Sequence, residues 1–225
     1  MKVELLIFDC DGVLVDSEII GHQIGVDEVV RLGGSTTVEE SIKTFTGFTD
    51  EEINRLLKEK HGERISDNFI SDLKGKINAC YQNTLQPVAN IHSVMQYLVD
   101  KKIPRCIASN SMSNHLQSVL AITKLDGYFK GEHIYNVSMV KQGKPAPDLF
   151  LHAADQMQVR PKNCLVIEDS HIGIAAAKAA KIPVIGFLGG IHAKYSWYKD
   201  RIKKTQPLKV VDDAYALLNL LKKIL

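Results

Sequence analysis

Four short stretches of the chain hold side chains that handle charge at oxygen. They are Asp9 and Asp11, two residues apart; Ser109 and Asn110; Lys144; and the adjacent acids Glu168 and Asp169. Carboxylates brought together repel one another unless a cation sits among them. An all-oxygen ligand set suits a hard ion, and Mg2+ is the expected one. Ser109 and Lys144 are donors and suit a phosphate set against that ion. A helix opening after Ser109 would aim backbone N–H groups at the same anion. Phosphoryl transfer needs these parts: an in-line nucleophile, a metal and neutralisation of the phosphate charge. An aspartate can serve as the nucleophile through an acyl phosphate. A second carboxyl two residues on can protonate the leaving alcohol and later activate water.

Bringing four distant segments together requires a scaffold, and the apolar pattern supplies one. Val3 to Phe8, apolar at every position but Glu4, is a run that stops at Asp9-Cys10-Asp11-Gly12. It reads as a strand buried on both faces, hence part of a parallel sheet. Past Pro87, helical and strand patterns alternate. Helices are expected over 91–101, 114–122, 148–157, 172–180 and 214–224, and strands over 104–109, 164–167, 183–188 and 209–211. A weaker strand signal covers 129–135. Repeated strand–helix units imply a Rossmann-like α/β core, a parallel sheet covered on both faces. Ligands of such sheets bind beyond the carboxyl ends of the strands, where Asp9, Asp11, Ser109, Asn110, Glu168 and Asp169 fall. Between 17 and 87 the chain is richer in charge and helical in spacing, with Thr49-Asp50-Glu51-Glu52 a plausible helix start. The expected organisation is a core formed by 1–16 and 88–225, with a small all-helical domain of about four helices, 17–87, inserted after the first strand.

Composition removes several classes. Of the 225 residues, 45% are hydrophobic and 24% charged, an ordinary globular balance. The net charge of +2 gives no basic field for nucleic acid. No apolar run is long enough for a membrane helix, and the first residues do not read as a secretory signal. The scattered Cys10, Cys80, Cys106 and Cys164 form no CxxC pair. A reduced, cytoplasmic monomer acting on a small molecule, without nucleic acid or membrane partners, is the expectation.

The motifs carry a resemblance. DCDGVLVDS at 9–17 matches the DxDGxxxDS signature of the haloacid dehalogenase superfamily. SNS at 109–111, GKPAPD at 143–148 and VIEDSHIGIAAAKAA at 166–180 resemble its later motifs, in order. The insert resembles the helical cap of the β-phosphoglucomutase-like subgroup, which implies closure over substrate. The phosphatases of sugar phosphates and 6-phosphogluconate are similar to it. The resemblance implies Asp9 as nucleophile, Asp11 as general acid/base whose carbonyl reaches the metal, and Ser109 with Asn110 at the phosphate. It implies Lys144 as the lysine that binds phosphate and restrains the nucleophile. Asp9, Asp11 and Asp169 would hold Mg2+, with Glu168 binding it directly or through water. Asp11 itself argues for phosphoester over carbon–halogen chemistry. Two departures bear on substrate. The mutase pattern's cap histidine falls on Gly21, with His22 one later. The loop TGFTDEE at 46–52, built around Gly47, has Thr46 and Asp50 where that pattern has basic residues. An acid there would repel a second phosphate, so a monophosphatase is expected over a mutase.

Other residues read as structural. His22, His61, His92, His115, His133, His152 and His192 are expected on the surface or in packing, and His171 beside the acidic pair has the same reading. Gly186 to Gly190 reads as a rim or turn, and Tyr195, Trp197 and Tyr198 as packing. The main alternative is a phosphomutase. A phospho-acceptor signalling domain would place its acids in a different order and leave the insert without purpose. A phosphate-binding module without activity would be expected to lack Asp9 or Asp11.

Overall fold

The computed structural model describes residues 2–46, 48 and 50–225. The chain forms two compact units, Met1–Asp16 with Gln86–Leu225, and Ser17–Leu85. Gln86 and Pro87, expected in the insert, belong to the first unit. The Asp16 amide donates to the Gln86 carbonyl at 3.0 Å, and Val15 bridges to Pro87.

The larger unit is a six-stranded parallel sheet. Its strands are β1 (Leu5–Phe8), β2 (Arg105–Ser109), β3 (Ile134–Asn136), β4 (Cys164–Glu168), β5 (Val184–Phe187) and β6 (Lys209–Val211), in the order β3-β2-β1-β4-β5-β6. All pairings are parallel. All four residues of β1 and all five of β4 are buried, as expected where both faces are covered. Phe8 lies level with Ile107 on one side and Ile167 on the other. Ser109 and Glu168 therefore end the two strands that flank β1, and Asp9 follows directly. The strand order reverses direction at β1, the switch point where such sheets bind ligands.

The helices of this unit are α5 (Ile91–Asp100), α6 (Ser113–Ile122), α7 (Asp148–Gln156), α8 (His171–Ala179), α9 (Ser196–Lys204) and α10 (Ala214–Ile224), following α1 to α4 of the insert in chain order. Four of them leave by the same device. Lys102, Lys124, Gln158 and Lys181 have φ of 55–57°, and the next residue's amide bonds back into the helix. That residue is Ile103, Leu125, Val159 or Ile182, and its apolar side chain accompanies the turn.

Two expectations needed correction. The strand expected over 129–135 is only Ile134–Asn136, because short 3-10 turns at Asp126–Tyr128 and Gly131–His133 occupy the preceding stretch. Helix α9 was not anticipated. Tyr198 and Ile202 are its buried positions, too few to show a helical period among its charges.

The smaller unit contains α1 (Ser17–Arg31), α2 (Val38–Phe45), α3 (Asp50–His61) and α4 (Phe69–Thr84). It has its own apolar cluster of Val29, Leu57, Ile65 and Phe69. Thr37 and Glu40 form a capping box that starts α2. Asp50, Glu51 and Glu52 open α3. Thr49, the expected start, and Gly47 lie outside the described residues.

The left-handed exits give a stability test. A side chain with positive φ carries a strain of about 1–2 kcal/mol, which glycine relieves at an entropic cost of about 0.5–1 kcal/mol. Lys181→Gly is therefore expected to raise unfolding stability by about 0.5–1 kcal/mol, read from urea denaturation; a loss would show that the lysine side chain matters more than the backbone.

Candidate active site

The chain leaves β1 through a tight turn. The amides of Val13, Leu14 and Val15 all point at the Cys10 carbonyl, and Gly12 donates to the Val15 carbonyl at 2.8 Å. Gly12 has φ +80, and a Cβ there would lie 2.1 Å from Asp169 Oδ2. Glycine is thus required both for the turn and for the approach of Asp169. Asp16 ends the turn and accepts from the Ile191 amide at 2.8 Å, tying it to the loop after β5. Burial pushes the Asp16 carboxyl up, against the lowering effect of that amide.

Lys144 stands between two acids. Its Nζ donates to Asp9 Oδ1 at 2.5 Å and to Glu168 Oε1 at 2.7 Å, and all three side chains are buried. Burial would lower the lysine pKa, but Asp9 and Glu168 outweigh it and hold it above its usual range as an ammonium. Its main chain is fixed by Asn110: Oδ1 accepts from the Lys144 amide at 2.8 Å, and Nδ2 donates to the Lys144 carbonyl at 3.0 Å. Asn110, expected beside the phosphate, thus commits its amide to aligning the lysine. Ser109 is buried, and its Oγ accepts from the Ser111 amide at 3.1 Å.

Both oxygens of Glu168 are engaged. Oε2 accepts from the amide and hydroxyl of Ser170, each at 2.9 Å. Ser170 also caps α8 through the Gly173 amide at 3.0 Å. A Cβ on Gly173 would fall 1.7 Å from Glu168 Oε1, so the glycine in the first turn of α8 leaves room for the acid.

Burial pushes the carboxyls of Asp9 and Asp169 well above the aspartate range. Glu168 and Asp11 add to both shifts, and Lys144 opposes both. Asp9 and Asp169 thus sense neighbouring carboxylates around the Lys144 ammonium. The surplus of negative oxygen fits a hard divalent cation. Among the described residues no three His, Cys, Asp or Glu side chains form a ready-made cage. An ion would draw also on main-chain oxygen and water, the habit of Mg2+.

Sequence reasoning did not single out four residues that touch these acids. Ser111 Oγ donates to Asp11 Oδ2 at 2.6 Å, and His115 Nε2 meets Asp11 Oδ1 at 2.9 Å. His192, buried in the loop after β5, has Nε2 2.8 Å from Asp169 Oδ2 and packs edge-on to Tyr198. Ser170 supports Glu168. Ser111 and Ser170 lie within the motifs at 109–111 and 166–180 and could have been found there. The histidines, read as surface or packing residues, carried no local signal. His171 is half-buried, and burial with Arg201 lowers its pKa. In the insert, Asp50 pairs with Lys74. Thr46 Oγ1 donates to the Ile42 carbonyl at 2.6 Å.

Residues 6–187 match the family described as haloacid dehalogenase-like hydrolase. The chain belongs to that family. The 6-phosphogluconate phosphatase of Escherichia coli (strain K12) is 26% identical over 86% of each chain. Among solved structures, a conserved haloacid dehalogenase-like protein of unknown function from Agrobacterium tumefaciens superposes with a TM-score of 0.87, at 32% identity over 99% of both chains. A family hydrolase from Deinococcus radiodurans R1, with bound phosphate and sodium, gives a TM-score of 0.84 at 29% identity, over 99% of this chain and 96% of that one.

The geometry around Gly12 predicts that Gly12→Ala will lose activity by about a hundredfold or more, since displacement of a reacting group by about 1 Å is that damaging. Its stability should fall by at least about 1–2 kcal/mol; a near-normal rate would mean that Asp169 can move without consequence. Asp16 gives a pH test. Its raised folded pKa means that its protonated form favours the fold and that this contribution is lost as pH rises. Asp16→Asn keeps an acceptor for Ile191 without that loss. Melting curves should show the variant gaining on the wild type as pH rises above the ordinary aspartate range; a constant difference would refute the assignment.

Proposed function

We propose that the protein is a Mg2+-dependent phosphatase that hydrolyses small phosphate monoesters, sugar phosphates foremost, through an aspartyl phosphate on Asp9. Its class is phosphoric monoester hydrolase, the class in which relatives such as the 6-phosphogluconate phosphatase are named. The observation that carries this reading is the buried ammonium of Lys144 held against Asp9 and Glu168, its main chain gripped by Asn110, the residue after Ser109. A nucleophilic carboxylate needs a nearby cation that restrains it and then meets the incoming phosphate.

In this reading Lys144 and the Ser109 hydroxyl hold the phosphate oxygens. An Asp9 carboxylate oxygen attacks phosphorus, and the bond to the leaving alcohol oxygen breaks as Asp11 gives that oxygen a proton. Water then attacks the aspartyl phosphate. Asp11 takes its proton, phosphate departs, and the Asp9 carboxylate is restored. Asp9, Asp169 and the Asp11 carbonyl would hold Mg2+, which supplies positive charge against the phosphate. We assign Glu168, whose oxygens face Lys144 and Ser170, to holding the lysine rather than to the ion. Among the described residues no helix is long and apolar enough to cross a membrane. The four cysteines are free thiols, which suits a reducing, cytoplasmic setting.

Phosphate release from a panel of phosphate monoesters, with Mg2+ or EDTA, tests this for wild type and Asp9→Asn. Wild type is expected to release phosphate only with Mg2+. The folded variant should lose at least about a thousandfold, as enzymes do without their nucleophile. Wild-type release by Asp9→Asn would refute the covalent route. Conversion to an isomeric sugar phosphate without free phosphate would make the protein a mutase.

A further inference from the structure

We infer that His115 and Ser111 are positioning residues that set the Asp11 carboxylate for proton transfer to the leaving oxygen; this rests on the phosphatase reading above. The two donors take opposite oxygens of one carboxylate. Ser111 Oγ donates to Oδ2 at 2.6 Å and His115 Nε2 lies 2.9 Å from Oδ1. A carboxylate only accepts hydrogen bonds, so the ring nitrogen facing it carries the proton. An aspartate side chain turns about two torsions, and a bond to each oxygen fixes both. The bonds use two of about four lone-pair positions and leave room for the transferred proton and the substrate oxygen.

The origin of the donors strengthens the case. Ser111 follows β2 by two residues, and its amide bonds Ser109 Oγ at 3.1 Å. His115 sits in the first turn of α6. The segment that carries the phosphate-facing hydroxyl therefore also carries both grips on the proton donor. Phosphate seat and acid are held in register by one short piece of chain. His115 is not filling the core, since its side chain is 24% exposed while its nitrogen meets Asp11.

A proton matters to some leaving groups more than to others. An alkoxide needs one as it departs, whereas p-nitrophenolate leaves without it. Rapid-quench single turnovers therefore measure Asp9 phosphorylation by an alkyl phosphate that the wild type hydrolyses and by p-nitrophenyl phosphate. In His115→Ala the alkyl-to-aryl rate ratio is expected to fall about tenfold, part of the 10²–10⁴-fold that general acid catalysis supplies. His115→Gln, which keeps an amide donor at the same reach, should recover most of the ratio. Ser111→Ala should shift the ratio in the same direction, and it decides the matter if His115→Ala does not fold. Equal losses on both esters, or none on either, would overturn the inference while leaving the phosphatase intact. A wild type that forms no phosphoenzyme from either ester would remove the phosphatase reading and this inference with it.

Discussion

The buried ion cluster at Lys144 is the constraint on which the rest of the structure turns. Removing an ammonium or a carboxylate from water is costly unless a counter-charge and hydrogen bonds meet it. Here one ammonium answers two carboxylates, Asp9 beyond β1 and Glu168 at the end of β4. Each partner is then braced from behind. Asn110 grips the main chain of Lys144 on both sides, and Ser170 and Gly173 fix the position of Glu168. Displacing any of these braces would leave a charge in the interior with its partner out of reach.

Such a cluster needs a fold that ends several strands at one level. A parallel sheet does this because every strand points the same way, and β1 sits where the order reverses. The return paths matter as much as the strands. Helices α5 to α8 close with a left-handed residue followed by an apolar one, which turns the chain back into the sheet. Glycine is the usual choice at such exits, but here lysine and glutamine occupy them. The tight turn after β1 adds a different requirement. Gly12 must be bare so that Asp169 can approach, and Asp16 fastens the end of the turn to the loop after β5.

The same arrangement accounts for the chemistry proposed. Burial and the neighbouring acids raise the carboxyls of Asp9 and Asp169, and one lysine does not balance them. In the proposed reaction a cation would meet that surplus and so favour the phosphate anion. The helical insert builds its own small core around Val29, Leu57, Ile65 and Phe69.

Much of this was legible in the residues themselves. Buried strands must be apolar, and the polar groups that follow them must lie at their ends; both are local facts. The α/β alternation followed from them, as did the closing helix and the short strand before it, while the four motifs in their order carried the family resemblance. What the sequence left unread depends on contacts between distant residues. His115 and Asp11 are 104 positions apart, and nothing near either one announces the other. His192 shows no pattern that would mark it as a neighbour of Asp169. Helix α9 buries too little of itself to display a period, and the left-handed conformation at Lys102, Lys124, Gln158 and Lys181 lacks the glycines that would have signalled it. Even Glu168, visible from the start as an acid beside Asp169, took its partners only from the folded chain. The sequence by itself determined which groups stand at the ends of the strands, because burial and turn chemistry act over a few residues. The tertiary structure alone decided which group faces which, because direction and distance between side chains exist only once the strands are packed side by side.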